Sequence, residues 1–385
     1  MSDPFVPKLP SVEFLRAKAQ RRMPGFAFEY LEGGCNSNIN VRRNTDEIRE
    51  IQLQPYYVND YAGANMKTEL FGHTYDAPFG ISPIGLQGMM WPKAPEILAA
   101  AAHEHNIPFA VSTVSTASVE TVCELTEGKA WFQLYHPAEN ELRDKLLKRV
   151  EAAGCPVLII LADTPTFAWR PMEIRNGLSI PPRMTLRNIM QMIAHPTWSF
   201  GQLVAGVPEF KTIKPYIPKG LDMKHLGLFM NKTFSGRLSE DRIKAIRDMW
   251  KGKLVVKGIV NPEDCQKVVD LGADGIIVSN HGGRSLDAGQ STIKAMPRLA
   301  QEFGDKIKVM IDSGLREGPD IACALASGAD FTFMGRSFMY GVGALGKRGG
   351  LHTITMIKRQ LQQIMEQVAC PTVKELPKHL IKEES

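Results

Sequence analysis

The chain has 385 residues, 44% apolar and 23% charged, with 46 Lys+Arg against 41 Asp+Glu for a net charge of +5. These totals suit one large globular domain or two average ones, and so small a surplus does not argue for nucleic acid. No basic arm or zinc-knuckle spacing supports a nucleic-acid partner, and no run of about 18 uncharged apolar residues could span a membrane.

The opening MSDPFVPKLPSVEF carries an acid and prolines where a signal peptide needs an uninterrupted apolar run. The six cysteines (35, 123, 155, 265, 323 and 370) are scattered, with no CxxC and no metal-ligand spacing. Together these predict reduced thiols, a cytoplasmic location and no metal site, with contact at a membrane surface left open.

Residues 1–78 read as helices and irregular cover. Eight short apolar runs follow: 79–85, 108–114, 130–135, 157–163, 254–259, 274–280, 308–314 and 330–335. Continuous apolarity is what parallel strands buried on both faces require. Helical patterns fill the intervals, such as 262–273 with Pro262 near its start and 239–250 with Ser239 as a cap. Eight β–α repeats predict an α/β chain folded as a (β/α)8 TIM barrel, with a doubly wound sheet as the alternative.

On this reading 1–385 is a single domain. The barrel occupies 79–180 and 239–348, and 349–385 supplies a C-terminal helix and tail. Residues 181–238 exceed the roughly 20–30 residues of a plain repeat and are rich in Pro and Lys. A solvated loop is the plain expectation for this insert; a lid or a membrane-contact element is the alternative.

Active sites of such barrels form at the C-terminal strand ends. Those ends carry Ser112 and Thr113, Gln133 and Tyr135, Asp163, Lys257, Ser279 with His281 and Arg284, Asp312 with Arg316, and Gly335 with Arg336. One such residue alone reads as a structural ion pair; their convergence on one rim reads as a site. The turns IDSGLR and FMGRS, with Arg316 and Arg336, predict a phosphate site, and no Gly-x-Gly-x-x-Gly run follows a strand. His281 titrates near neutrality, and Asp163 facing it would fix its tautomer and raise its basicity. Arg284 suits a carboxylate. Spacing leaves Lys257 as a Schiff-base nucleophile, a cation for developing charge, or an ion-pair partner.

Six motifs in order, SNHGGR (279–284), VVKGI (255–259), FQLY (132–135), ADTP (162–165), DSGLREGPD (312–320) and MGRSFMYG (334–341), carry a resemblance over nearly the whole chain. The sequence is similar to the FMN-dependent 2-hydroxy-acid oxidase and dehydrogenase family, which includes glycolate oxidase, lactate oxidase, lactate monooxygenase and mandelate dehydrogenase. The resemblance implies FMN as cofactor and oxidation of an (S)-2-hydroxy acid, lactate-like or longer, to the 2-oxo acid. Oxygen or a quinone would then take the electrons.

By the same resemblance His281 is the base, Asp163 supports its imidazolium, and Tyr135 lies near the substrate's α-oxygen. Arg284 and Tyr30 hold the substrate carboxylate, with Arg170 a second arginine. Lys257 stands beside the flavin where reduction places negative charge. Pro83, Ile84, Gly85, Ser112, Gln133 and Ser279 contact the ring, and Asp312, Gly314, Arg316, Gly335 and Arg336 contact the ribityl chain and phosphate. The family also implies a homo-oligomer, tetramer or octamer, and its membrane-bound members imply peripheral membrane contact through 181–238, at the inner face of a membrane.

Departures bear on the substrate. Pro83-Ile84-Gly85 stands where many members have Pro-Thr-Ala, so Gly85 would leave more room. Val114 replaces a tryptophan of glycolate oxidases, and Leu161 replaces a common threonine. Another FMN barrel enzyme, such as an isomerase, or a non-catalytic flavin-binding protein are the remaining alternatives. Neither a reactive loop cysteine nor a missing base argues for them.

Overall fold

The computed structural model of the chain describes residues 3–178, 182–221, 223–234 and 236–381. Position 181, where the insert was expected to begin, and position 385, the end of the expected tail, lie outside the described residues.

Each of the eight apolar runs forms a strand, the fifth starting one residue early: β1 Phe79–Ile81, β2 Ala110–Ser112, β3 Trp131–Leu134, β4 Val157–Leu161, β5 Lys253–Ile259, β6 Gly275–Val278, β7 Lys308–Ile311 and β8 Phe331–Met334. They pair in parallel in the order β1-β8-β7-β6-β5-β4-β3-β2. Ile81 bridges Phe109, its N–H donating to the Pro108 carbonyl at 2.9 Å, and this joins β1 to β2. A doubly wound sheet would leave two open edges; here the ring closes, as a TIM barrel requires.

Strand periodicity sorts the side chains into two cores. Ala110, Trp131, Val157, Ile159, Val255, Ile277, Met310, Phe331 and Phe333 pack together inside the barrel. Their neighbours of opposite parity, such as Val111, Phe132, Leu158, Val256 and Val309, pack outward beneath the helices. Leu70 and Tyr75, from an antiparallel hairpin of Thr68–Leu70 and His73–Tyr75, join the inner cluster beside the strand starts. That hairpin lies in a region expected to hold only helices and irregular cover.

Two residues beyond the inner cluster, the same parity arrives at Ser112, Gln133, Leu161, Lys257, Ser279, Asp312 and Gly335. The rim of the barrel is thus the inward face of the strands continued upward. At β5 the register shifts between Lys257 and Ile259. Gly258 there has φ +102°, and a Cβ on it would lie 2.5 Å from the Asp163 Cβ. The bulge lets the β4 and β5 ends approach at the rim.

Helix Pro262–Asp270 starts on Pro262 as expected and is capped by the Asn261 side chain, while the chain leaves it through Gly272 at φ +79°. Helix Glu240–Met249 has Ser239 at its N-cap position, but the hydroxyl makes no capping bond. The insert, expected as a loop, is largely helical: Leu186–Ala194, Pro196–Ala205 and Met223–Phe234, with a 3-10 turn at Lys214–Tyr216. Its Pro196 opens a helix rather than breaking one, because the first turn needs no proline N–H. Trp198 anchors that helix by donating to the Met90 carbonyl at 2.9 Å.

Gly258→Ala should force a left-handed alanine against Asp163 and cost on the order of 1–3 kcal/mol. A fall in the urea midpoint is expected, and an unchanged midpoint would mean the bulge is tolerant.

Candidate active site

Lys257 lies at the centre of the rim. It is 4% exposed, and its Nζ lies 2.7 Å from Ser279 Oγ, 3.2 Å from Asp312 Oδ2 and 3.4 Å from Asp163 Oδ2. Burial works against the ammonium, but the two carboxylates outweigh it and hold Lys257 above its ordinary value. Burial likewise works against the Asp163 carboxylate. The Lys257 charge, with the contacts from His281, overcomes that and holds it well below the usual carboxylate range.

The other Asp163 oxygen lies 2.9 Å from His281 Nδ1. A carboxylate can only accept, so Nδ1 carries the proton and Nε2 keeps its lone pair. Burial lowers the imidazole and Asp163 raises it, with the net below the ordinary 6.5. The expected rise in basicity is therefore present as a pairwise effect and reversed in sum: His281 is held neutral, proton-free at Nε2.

The loop that carries His281 is bent by three consecutive left-handed residues, His281, Gly282 and Gly283, with φ of +58°, +67° and +76°. A non-glycine residue pays for that conformation, so the loop is clamped. Asn280 exchanges amide hydrogen bonds with Asn44 at 2.7 and 2.8 Å. Ser313 Oγ accepts from the Gly282 N–H at 2.9 Å, and Asp287 accepts from the Ser37 and Asn40 N–H groups. Gly34 meets this loop backbone to backbone, since a Cβ on it would lie 2.6 Å from the Gly283 carbonyl oxygen.

Beyond the glycines Arg284 turns back beneath helix Gly25–Glu32. Its Nη1 donates to the Tyr30 and Gly33 carbonyls at 2.8 and 2.7 Å, and its guanidinium lies 5.0 Å from the Tyr30 ring centre. Nη2 donates to Glu173, a nearly buried carboxylate on the short helix Pro171–Arg175. Glu173 also pairs with Arg170 at 3.4 Å, and Arg170 Nε donates to the Arg284 carbonyl at 3.2 Å. Tyr135 feels Arg170, Asp163, Tyr30 and Lys257, and burial above all pushes its phenol up to about 12.

The residues expected to hold FMN lie around the same mouth. Ser112 Oγ donates to Gln133 Oε1 at 2.7 Å, while the buried Gln133 Nε2 has no partner among the described residues. An unsatisfied buried amide at an inward-facing position suits an acceptor on a bound ring. Arg336 opens the ten-residue helix Arg336–Leu345; burial first, then the Arg316 charge, pushes it down to about 9. Crowded like charges at a helix N-terminus suit a phosphate. Arg336 also donates to the Leu31, Gly33 and Gly282 carbonyls, which ties this helix start to the His281 loop. Ile84 lies over Gly335, where an added Cβ would be 3.1 Å from Ile84 Cδ1, and Gly314 passes close to the Asn44 carbonyl at φ +95°. Pro83 sits between Ser82 and Ile84 at the end of β1. These residues fit the flavin mononucleotide.

Glu173, Asn40, Asn44, Asp287 and Ser313 were not singled out in the sequence. Asn40 and Asn44 carried one faint signal, two amides four apart on the polar helix Ile39–Arg49. Gly85 does not simply leave room: a Cβ on it would lie 2.7 Å from Val114 Cγ2. The two departures fill each other's space.

A profile of the FMN-dependent dehydrogenase family matches residues 19–383. L-lactate dehydrogenase of Acinetobacter baumannii is 34% identical, with 94% of each chain covered. L-lactate dehydrogenase of Vibrio cholerae is also 34% identical, covering 94% of this chain and 96% of its own. Among solved structures, the monotopic membrane protein (S)-mandelate dehydrogenase superimposes with a TM-score of 0.91 at 31% identity, covering 97% of this chain and 100% of its own.

Gly85→Ala should lower stability by about 1–3 kcal/mol through overpacking against Val114. Combining it with Val114→Ala should recover most of that loss, and additive melting shifts in the double variant would show that the two positions do not touch.

Proposed function

The chain belongs to the FMN-dependent dehydrogenase family of 2-hydroxy-acid oxidoreductases, and from that premise we propose that it oxidises an (S)-2-hydroxy monocarboxylate, lactate-like or longer, to the 2-oxo acid. The observation that carries this reading is the orientation of His281. Its Nδ1 is committed to Asp163 and its Nε2 lone pair meets no donor among the described residues, while Arg284, on the same loop, is tied to Tyr30 and Arg170.

Bound FMN supplies the acceptor for the two electrons that leave with the substrate's α-hydrogen. Ser112, Gln133 and Ser279, with the Pro83-Ile84-Gly85 turn, would hold its ring. Asp312, Gly314, Arg316, Gly335 and Arg336 would hold its chain and phosphate. Arg284 binds the substrate carboxylate with Tyr30 beneath it, and Arg170 adds a second positive charge. His281 Nε2 takes the hydroxyl proton, and the imidazolium that results is stabilised by Asp163. Tyr135, held protonated by burial, donates toward the α-oxygen. Lys257 offers a fixed positive charge where the cofactor gains electrons.

The insert favours a membrane-soluble acceptor. Leu186, Ile189, Met190 and Ile193 form an exposed stripe on one helix, and Phe200, Leu203, Val204 and Val207 repeat the spacing on and just past the next. Two apolar stripes at i, i+3, i+4, i+7 left bare suit the acyl boundary of a bilayer. No helix among the described residues is long and apolar enough to cross a membrane. We therefore read the protein as lying on the inner face of a membrane and passing electrons to a quinone, in the homo-oligomer that its resemblance implies.

Anaerobic mixing with (S)-lactate, (S)-mandelate or longer 2-hydroxy acids should bleach the bound flavin; holoenzyme left oxidised by the whole panel would sink the proposal. His281→Gln should retain FMN but lower turnover by about 10²–10⁴-fold or more. The acid limb of kcat/KM should fall below the ordinary histidine value of about 6.5. Asp163→Asn should move it lower still, because the carboxylate is what holds the imidazole up. Replacing Leu186, Ile193, Leu203 and Val207 with glutamine should abolish co-sedimentation with vesicles while leaving activity toward a soluble dye intact. Equal sedimentation of parent and variant would refute the membrane reading.

A further inference from the structure

Arg284 and Arg170 bring two positive charges to the pocket proposed to hold the substrate carboxylate, and Glu173 lies against both. Glu173 is 9% exposed, its Oε1 accepts from Arg284 Nη2, and it pairs with Arg170 at 3.4 Å. So buried a carboxylate costs free energy unless it is paired, and here both partners are the arginines of the site. Counting donors on Arg284 shows what the pairing does. Both Nη1 hydrogens go to the Tyr30 and Gly33 carbonyls and one Nη2 hydrogen goes to Glu173. The Nε–H and the second Nη2–H have no acceptor among the described residues. A planar fork held on its far side presents those two hydrogens in fixed directions, as a bidentate carboxylate contact needs.

Glu173 also sets the charge of the pocket. Two arginines and one carboxylate leave a single positive charge, which one bound carboxylate neutralises. On the neighbouring rim Lys257 faces both Asp163 and Asp312, so that cluster carries one negative charge and repels a second anionic group. We propose that Glu173 is a positioning residue that orients Arg284 and restricts the site to monocarboxylates, rejecting 2-hydroxy dicarboxylates and other dianions. The inference rests on the reading of Arg284 as the carboxylate holder.

The test measures dissociation constants for pyruvate and for oxalate, a monoanion and a dianion, from the perturbed absorbance of oxidised FMN holoenzyme. Glu173→Gln keeps a hydrogen-bond acceptor for Arg284 but removes the negative charge. It should tighten oxalate by about tenfold and pyruvate by roughly two- to threefold, so the preference shifts toward the dianion. Glu173→Ala, which also removes the clamp, should weaken pyruvate by about tenfold and raise KM for the hydroxy acid more than it lowers kcat. A merely structural role would move both ligands together, and an oxalate-to-pyruvate ratio within about twofold of the parent in Glu173→Gln overturns the proposal. Arg284→Met separates the two layers. If it leaves pyruvate binding unchanged, the carboxylate-holder reading itself fails; if it weakens binding while Glu173→Gln leaves the ratio unmoved, only the Glu173 inference fails.

Discussion

A buried lysine that must be neutralised organises the rim. Lys257 points inward because it shares parity with Val255, whose side chain fills the barrel interior. An ammonium there is costly unless opposite charges meet it, and Asp163 and Asp312 come from β4 and β7 to do so. Asp163 reaches it only because Gly258 bulges without a side chain. Having met Lys257 with one oxygen, Asp163 meets His281 with the other, and so decides which histidine nitrogen is left bare.

The same chain of dependence extends outward. His281 sits in a left-handed conformation that its own sequence does not favour, so Asn44 and Ser313 hold the loop from neighbouring segments, and the loop's own Asp287 accepts from the Ser37 N–H. Two of those contacts run to the N-terminal segment, which is therefore a structural part of the site rather than a cover over it. Arg336 couples the start of its helix to the same loop through the Gly282 carbonyl. On the proposed reading, a phosphate at Arg336 and Arg316 would relieve their like-charge crowding, and binding the cofactor would then be linked to ordering the His281 loop.

The insert shows a different economy. Trp198 and Gln202 tie its second helix to the carbonyls at Gly88 and Met90, close to the turn after β1. With that inner side anchored, the apolar stripes are left outside. A soluble surface rarely leaves such stripes bare without a partner, and the segment that carries Arg170 and Glu173 lies between this insert and the barrel mouth, with Phe167 and Trp169 exposed on it. The residues proposed to recognise substrate and the bare face thus share one stretch of chain.

The eight buried strands, their order of polar ends and the six motifs were legible in the sequence, because continuous apolar runs and short-range spacing are local properties. The helical character of the insert was not: its prolines read as loop signals, and only the placement of Pro196 at a helix start and the docking of Trp198 showed that helices fit between them. Glu173 was hidden for a related reason, since an acid in RPMEIRN looks like any solvated charge until tertiary structure sets it against Arg284, 111 residues away. The direction of the His281 shift was also undecidable from spacing. A carboxylate partner predicts a rise, and only three-dimensional burial, which opposes the charged form, turned the balance the other way. Sequence by itself determined which groups are present and on which strand ends. Tertiary structure decided their protonation and their partners, because both depend on what has been excluded from water and on distances no linear spacing encodes.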